Sequence, residues 1–443
     1  MKYAGQRIAI LGLGSSGRGA ARLARKFGAE VAVFDSGGEN QLDPAARELR
    51  NEGIRVVLGV EAAPAGERFD LCVLSPGIDP AWEMPRSFAA AGAQIIGEIE
   101  FGFQNTDKPV VAITGTNGKS TTTELTSRLL NAGEFLTLPS GNHGRAFADV
   151  LWAEEPLDVH TLEVSSFQLE TICEFRPRVA VWLNFAPDHL DRHRDLESYF
   201  AAKARVFENQ RSNDWAIVKL GDRRPANIRA QMVTFSAFSQ EADFRLERNE
   251  VFFRDERILD FSMTRLRGKH NVENVMAAFG VGRAFDIPWT VLAEAAKDYR
   301  PPRHRCELVA VVDGREFIND SKATNLHALE SCLRALEAPV VLIAGGKDKG
   351  LDFSPLREAV QRMTTHVFAI GQLRDHLAEV WADVTAVEKC PTLEAAVQRG
   401  YEASRPGQVV LLSPGTSSFD MFTGYDHRGD VFTQAAQRLL SPV

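Results

Sequence analysis

Ile113-Thr114-Gly115-Thr116-Asn117-Gly118-Lys119-Ser120-Thr121 follows the apolar run Val110-Val111-Ala112 and continues into a helical pattern. A strand, a turn with two glycines and a helix opening on Lys-Ser-Thr-Thr turn successive backbone N–H groups towards a helix N-terminus, where the dipole favours an anion. The stretch therefore reads as a polyphosphate-binding loop formed by Gly115, Thr116, Asn117, Gly118, Lys119, Ser120 and Thr121. In such a loop the lysine reaches the outer phosphates and the serine hydroxyl ligates Mg²⁺. The common pattern has glycine five positions before the Gly-Lys pair, where this chain has Ile113. The structural alternative is a Gly-rich turn with no ligand.

Upstream, Ile8-Ala9-Ile10-Leu11 leads into Gly12-Leu13-Gly14-Ser15-Ser16-Gly17 and a helical stretch ending at Gly28; the next strand, Glu30 to Phe34, ends in Asp35. Strand, G-x-G-x-x-G, helix and a later acidic residue describe a dinucleotide-type fold, with NAD as the default ligand and an empty tight turn as the alternative. Strands at Arg55 to Leu58 and Phe69 to Leu74 continue the alternation, the second running into Ser75-Pro76-Gly77.

Downstream, the phosphate-loop helix runs to about Asn131 and closes at Gly133. Asn142 lies in the loop Ser140 to Gly144, and Glu163 ends the strand-like run from Asp158, where a carboxylate can hold Mg²⁺ or simply cap a helix. The strand Arg178 to Leu183 empties into Asn184 through His193, where His189 and His193 are four apart. A zinc-protease helix needs Glu after the first histidine, and Leu190 stands there. Asp188 and Asp191 suit Mg²⁺ better, and a solvated polar loop is the plain alternative. Lys203 sits in an Ala-rich helix, Leu196 to about Glu208, where its residue type and position alone suggest a solvated surface group. Trp215 to about Phe261 reads as a small antiparallel excursion, and Asn271 and Asn274 share one face of the next helix.

Tyr299-Arg300-Pro301-Pro302-Arg303-His304-Arg305 is a stiff basic joint, giving expected domains at 1–96, 97–300 and 301–443. In the last of these, Asp313-Gly314 signals a hairpin. Polar loops then follow strands at Asn319 to Asn325, Gly345 to Gly350 and Ser413 to Asp420. The fold class expected is α/β, three units with their loops at the carboxyl edges of parallel sheets. Lys+Arg of 51 against Asp+Glu of 59 leaves a net charge of −8, which argues against a nucleic-acid partner. Five widely spaced cysteines without a C-x-x-C pair read as free thiols of a reducing compartment. No apolar run approaches the ~20 residues that span a bilayer, so a cytoplasmic protein without membrane insertion is expected. Taken from the residues alone, the set of loops suggests an enzyme that brings a nucleoside triphosphate to other substrates between domains.

In order and spacing, Gly115 to Ser120, Glu163 to Gln168, Asn184 to His189, the Lys203 helix, His270-Asn271 with Asn274, His304-Arg305 and Asp320 to Asn325 resemble the Mur ligase family over nearly the whole chain. The resemblance implies an N-terminal Rossmann-like unit, a central P-loop ATPase-like unit and a C-terminal Rossmann-like unit. It implies an ATP-dependent acid–amino-acid ligase of peptidoglycan precursor synthesis, and hence of cell-wall growth, cell shape and division. The substrate carboxylate takes the γ-phosphate of ATP to give an acyl phosphate, and the incoming amine displaces phosphate. Ser75-Pro76-Gly77-Ile78, Ser417 to Phe422 and Arg428-Gly429, with no D-N-P-R motif, resemble the members that join UDP-N-acetylmuramoyl-L-alanine to D-glutamate. L-Glutamate is the alternative acceptor.

By resemblance, Lys119, Ser120 and Glu163 hold ATP and a first Mg²⁺, and His189 helps hold a second, with Lys203 carbamylated beside it. Asn271, Asn274, Arg305 and Asp320 lie near ATP, and Lys322 lies in the closed site. Ser15, Ser16, Asp35, Ser75, Gly77 and Asn142 face the UDP-substrate, replacing the NAD reading. Thr324, Lys349, Ser418 and Tyr425 hold glutamate, in a protein expected to be a monomer. Two departures stand out: Tyr425 where the family often has Phe, and Ser36-Gly37 where an arginine is common. A nicotinamide oxidoreductase would leave the phosphate loop without a use, and a non-catalytic nucleotide-binding regulator would leave Lys322 and the second metal cluster without one.

Overall fold

The computed structural model describes residues 1–189, 192–300, 303–336 and 338–440. Leu190 and Asp191 of the expected metal loop, and Pro301 and Pro302 of the expected joint, lie outside the described residues. The chain divides into two compact units, Met1–Asp260 with Glu273–Lys297, and Phe261–Val272 with Asp298–Val443.

The first unit holds two sheets. β1 (Arg7–Leu11), β2 (Glu30–Asp35), β3 (Arg55–Leu58), β4 (Leu71–Leu74) and β5 (Gln94–Gly97) form a parallel sheet in the order β3-β2-β1-β4-β5. Alternate residues bury on opposite faces: Ile8, Ile10, Val31 and Val33 join one apolar cluster, and Ala9, Leu11, Ala32 and Phe34 the other. Helices therefore cover both faces, which is why these strands are apolar throughout. The strand order reverses between β1 and β4, so the Gly12 loop and Ser75-Pro76-Gly77 flank the crevice where ligands of such sheets bind.

The second sheet comprises β6 (Val110–Thr114), β7 (Pro139–Gly141), β8 (His160–Glu163), β9 (Val179–Trp182), β10 (Trp215–Lys219), β11 (Gln231–Ser236), β12 (Phe244–Glu247), β13 (Glu250–Phe253) and β14 (Glu256–Asp260). Its order is β14-β13-β12-β11-β10-β9-β6-β8-β7. The antiparallel excursion expected over 215–261 needs correction. β10, β11 and β12 extend the sheet in parallel, and only β12-β13-β14 turns antiparallel. Short alternating runs look alike in either direction, because period-2 patterning carries no strand polarity. The Lys203 helix spans Leu196–Ala204, with a 3-10 turn at Arg205–Phe207 in place of its expected end.

Two buried glutamates tie these sheets together. Glu100 Oε2 accepts from Cys173 N (2.8 Å) and Phe175 N (2.9 Å), and its Oε1 from Glu174 N (3.0 Å). Glu98 Oε1 accepts from Ala148 N at 2.7 Å, at the start of the helix Phe147–Trp152. That helix packs on Ser15–Lys26, where a Cβ at Gly19 would come within 2.7 Å of Asp149 N.

In the second unit, β15 (Glu307–Val312), β16 (Arg315–Asn319), β17 (Val340–Gly345), β18 (Thr364–Ile370), β19 (Ala386–Lys389) and β20 (Val409–Leu412) are ordered β15-β16-β20-β17-β18-β19. β15 and β16 are the expected hairpin, with Asp313 and Gly314 at φ +47° and +75°; the other pairs are parallel.

Burial pushes the Glu98 carboxyl up to about 7, with Asp149 adding to the effect. A carboxyl whose folded pKa exceeds its unfolded value stabilises below the unfolded pKa, and that contribution disappears as pH rises through the folded one. Glu98→Gln is therefore expected to gain on the parent by roughly 3 kcal/mol between pH 4.5 and pH 7. Urea unfolding at the two pH values checks this; an unchanged difference overturns it.

Candidate active site

β6 is wholly buried and delivers the chain to Gly115 at φ +153°, where a Cβ would sit 2.8 Å from Leu183 Cβ. Gly118, at φ +82°, precedes the helix Lys119–Ala132 and lies against Asn274 Oδ1 too closely for any side chain. Both glycines are thus required by conformation and by space. The helix ends at Gly133 as expected, though without the left-handed conformation that commonly favours glycine there.

Asn184, from the loop after β9, holds the turn in shape. Its Oδ1 accepts from Thr116 N (3.1 Å) and Asn117 N (2.8 Å), and its Nδ2 donates to Asn117 O (3.0 Å). The Thr116 hydroxyl lies 3.3 Å from Tyr199 Oη and accepts from Ala186 N at 3.0 Å. Lys119 Nζ folds back to donate to Gly115 O (3.0 Å) and Thr116 O (2.7 Å). Asn274 Oδ1 accepts from Thr122 Oγ1 at 3.2 Å, which brings this predicted residue to the loop helix.

Parallel pairing of Ile113 with Glu163 sets the carboxylate level with the loop. Asn142 Nδ2 donates to Glu163 Oε1 at 2.8 Å, so Asn142 stands beside the phosphate loop. Glu163 is 3% exposed. Its burial opposes ionisation, but Lys119, Ser120, Asn142 and His143 outweigh that and hold the carboxyl below its ordinary value. Glu163 Oε2 is buried without a hydrogen-bond partner. An ionised, buried oxygen beside the loop suits a hard cation such as Mg²⁺.

The surface role expected for Lys203 from residue type and position is overturned: it is 2% exposed, and its Nζ donates to Gly115 O at 2.8 Å. It also lies over the Tyr199 ring, 5.0 Å from the centroid. Burial and the Lys119 charge depress its pKa well below normal, against the opposing pull of Asp188 and Glu163. The Ala-rich helix hid this because the partner that buries the Lys203 amine is Gly115 of the loop, far away in sequence, which periodicity does not reveal; Tyr199 lies four residues earlier on the same helix.

His189 and His193 do not form a shared metal pair. His193 is buried with Nε2 2.9 Å from Ser166 Oγ, and its ring stacks on Phe167. His189, at φ +54°, remains half-open beside Asp188, with an Nε2–Oδ2 separation of 3.7 Å.

In the first sheet, Asp35 accepts from Leu13 N and Gly37 N, both at 2.8 Å, so its carboxylate shapes the Gly-rich loop. Ser15 and Ser16 open the following helix, and Gly77 is exposed. Ser75, Gly97, Glu98, Phe167, Gln168 and Thr171 line a cleft, which brings Ser75 towards the central sheet.

In the second unit, Asp320 is buried and accepts from Ser413 Oγ at 2.8 Å; burial raises its carboxyl to about 6. Lys322 Nζ lies 5.0 Å from the Tyr425 ring centroid, joining two residues predicted separately. Arg428 is fully buried; its Nε donates to Ser321 Oγ at 3.0 Å and its Nη2 to Ser321 O at 2.8 Å and Thr416 O at 3.1 Å. It thereby holds the loop that carries buried Ser418. Thr324 and Arg305 are half-buried, Lys349 is exposed, and Asn271 Nδ2 donates to Arg267 O at 2.9 Å. Asn184, Tyr199 and Arg428 are the positions that site prediction missed. Asn184 had a signal, since it follows a strand into the loop edge, and Arg428 stands in a motif that carries the resemblance; the tasks of Arg428 and Tyr199 became legible only through packing.

The Mur ligase middle domain matches residues 113–282, and the Mur ligase glutamate ligase domain matches residues 304–415. Over 447 residues the chain is 37% identical to a protein of Trichlorobacter lovleyi named UDP-N-acetylmuramoylalanine--D-glutamate ligase, covering 99% of this chain and all of that one. A protein of the same name from Koribacter versatilis is 38% identical, covering 99% of each. The crystal structure of MurF from Acinetobacter baumannii shares the fold at a TM-score of 0.62, with 17% identity over 92% of this chain and 90% of that one. The chain belongs to the Mur ligase family and has its three-domain α/β architecture. It is an ATP-dependent ligase that forms an amide bond.

Loss of one hydrogen bond worth about 1.4 kcal/mol corresponds to a tenfold change in local opening. Asn184→Ala is therefore expected to speed hydrogen exchange at the Asn117 amide about tenfold, measured by NMR; unchanged exchange there would remove Asn184 as the support of the loop.

Proposed function

We propose that this protein adds D-glutamate to UDP-N-acetylmuramoyl-L-alanine at the expense of ATP, a step of peptidoglycan precursor synthesis in the cytoplasm, and that it acts as a monomer. The observation that carries the reading is the single cluster of phosphate loop, ionised Glu163 and buried Lys203, within a chain alike over its full length to ligases of that name.

The chemistry concentrates negative charge twice. The substrate carboxylate attacks the γ-phosphorus of ATP, giving an acyl phosphate and ADP; the amine of glutamate then attacks the acyl carbon and expels phosphate, losing a proton. Loop N–H groups and Lys119 are suited to bind the transferring phosphate without reorganising, because Asn184 already fixes the turn. Ser120 and Glu163 would hold one Mg²⁺, and His189 with a modified Lys203 a second; when bound, the ions would neutralise phosphate charge. Burial and the Lys119 charge depress the Lys203 pKa and so favour the neutral amine, the form that adds carbon dioxide to become a carbamate. That modification would place an anion where Lys203 faces the Lys119 charge.

The residues 1–96 would bind the UDP portion through the Gly12 loop, Asp35 and the Ser75 cleft, with Asn142 at the muramoyl end. Residues 97–300, Asn271 and Asn274 among them, would bind ATP, together with Arg305 and Asp320. Thr324, Lys349, Ser418 and Tyr425 in residues 301–443 would take glutamate, and Lys322 would face the reacting groups beside Tyr425.

Phosphate release from ATP with Mg²⁺ and UDP-N-acetylmuramoyl-L-alanine is expected to require D-glutamate. Release with L-glutamate alone would keep the mechanism and change the acceptor, and no release with either would overturn the proposal. Lys203→Ala is expected to lose activity by about two orders of magnitude or more, with partial recovery in added short-chain carboxylate. Full unaided activity would take Lys203 out of the mechanism.

A further inference from the structure

The five cysteines are all free, yet two far apart in sequence meet: Cys306 Sγ lies 3.3 Å from Cys332 Sγ. Asp320 completes the group, with one ligand atom from each of the three residues all lying within 4.8 Å of one another. We infer that Cys306, Cys332 and Asp320 form a binding site for a soft divalent cation of the zinc or cadmium type, separate from the Mg²⁺ ligands proposed beside the phosphate loop.

Two thiolates and a carboxylate are a donor set that such ions prefer and that Mg²⁺ does not. Zn–S bonds of about 2.3 Å at a tetrahedral angle place the sulfurs about 3.8 Å apart, so a small opening of the present pair admits the ion. The carboxylate is already oriented, since Ser413 Oγ donates to Asp320 Oδ2 at 2.8 Å and Cys306 N donates to Oδ1 at 3.3 Å. Such outer hydrogen bonds commonly fix a metal ligand.

Cys306 stands at φ +44°, a left-handed conformation unusual for a residue with a side chain, in the turn before β15. Cys332 is buried on the helix Leu326–Ala335, whereas Cys306 is only half-buried and gives the ion a way in. Binding replaces two thiol protons with one M²⁺, leaving the fourth position to water. Without it, the contact with Cys306 and then burial raise the Cys332 thiol well above its ordinary value, and burial raises the Asp320 carboxyl.

Reduced, metal-free full-length protein carrying Cys173→Ser, which removes the exposed cysteine, would be titrated anaerobically with Cd²⁺ and then with Zn²⁺ in competition. A saturable thiolate-to-cadmium charge-transfer band is expected at a single equivalent, abolished by Cys306→Ser and by Cys332→Ala. Ser413→Ala is expected to weaken binding about tenfold. Because Cys306 is half-buried, its serine variant keeps the test sound if the core change at Cys332 unfolds the protein. A band that persists in Cys306→Ser overturns the site, as does an absent band while the thiols still react fully with a thiol reagent. The readout is independent of ligase activity, so it distinguishes failure of this site from failure of the functional reading.

Discussion

Lys119, Lys203 and Glu163 share one poorly solvated corner beside the phosphate loop, where the Lys119 charge acts on both of the others. Lys119 keeps Glu163 ionised against the cost of its burial, and the same charge helps drive the proton from Lys203. Two like cations near a carbonyl oxygen repel in a medium of low dielectric, and the lowered pKa of Lys203 eases that repulsion by favouring the neutral amine on Gly115 O. The corner is thereby poised for added anions, whether phosphate oxygens or a carbamate.

This electrostatic arrangement depends on the hydrogen bonds and close packing that shape the loop backbone. The loop is held by Asn184 from one neighbouring strand and levelled with Glu163 by the other, and its glycines are crowded by Leu183 and Asn274. Behind it, Glu100 gathers three backbone N–H groups and Glu98 a fourth, fastening the first sheet's chain to the central one. Buried carboxylates cost desolvation that hydrogen bonds must offset. Fully buried and with a second oxygen lacking a partner, Glu98 holds its proton to about neutral pH.

The second unit repeats the device with opposite charge. Arg428, wholly enclosed, ties Ser321 to the Thr416 loop, so the segments that carry Asp320, Lys322 and Ser418 are fixed to one another by a single guanidinium. The thiol pair beside Asp320 belongs to the same apolar cluster as Leu329 and Leu333. Its donor atoms are thus held by packing rather than by solvent-exposed contacts.

Much of the fold was readable in the chain itself. Apolar runs punctuated by Gly12, Gly115 and Asp313-Gly314 mark strands and turns because left-handed backbone and apolar alternation leave local traces. The phosphate loop, Glu163 and the hairpin needed only neighbouring residues to be recognised. The direction of β10 to β12, the burial of Lys203, the separation of His189 from His193 and the meeting of Cys306 with Cys332 were decided by tertiary structure alone. Strand polarity, desolvation and side-chain contact are set by groups distant in sequence, so no local pattern in the residues records them.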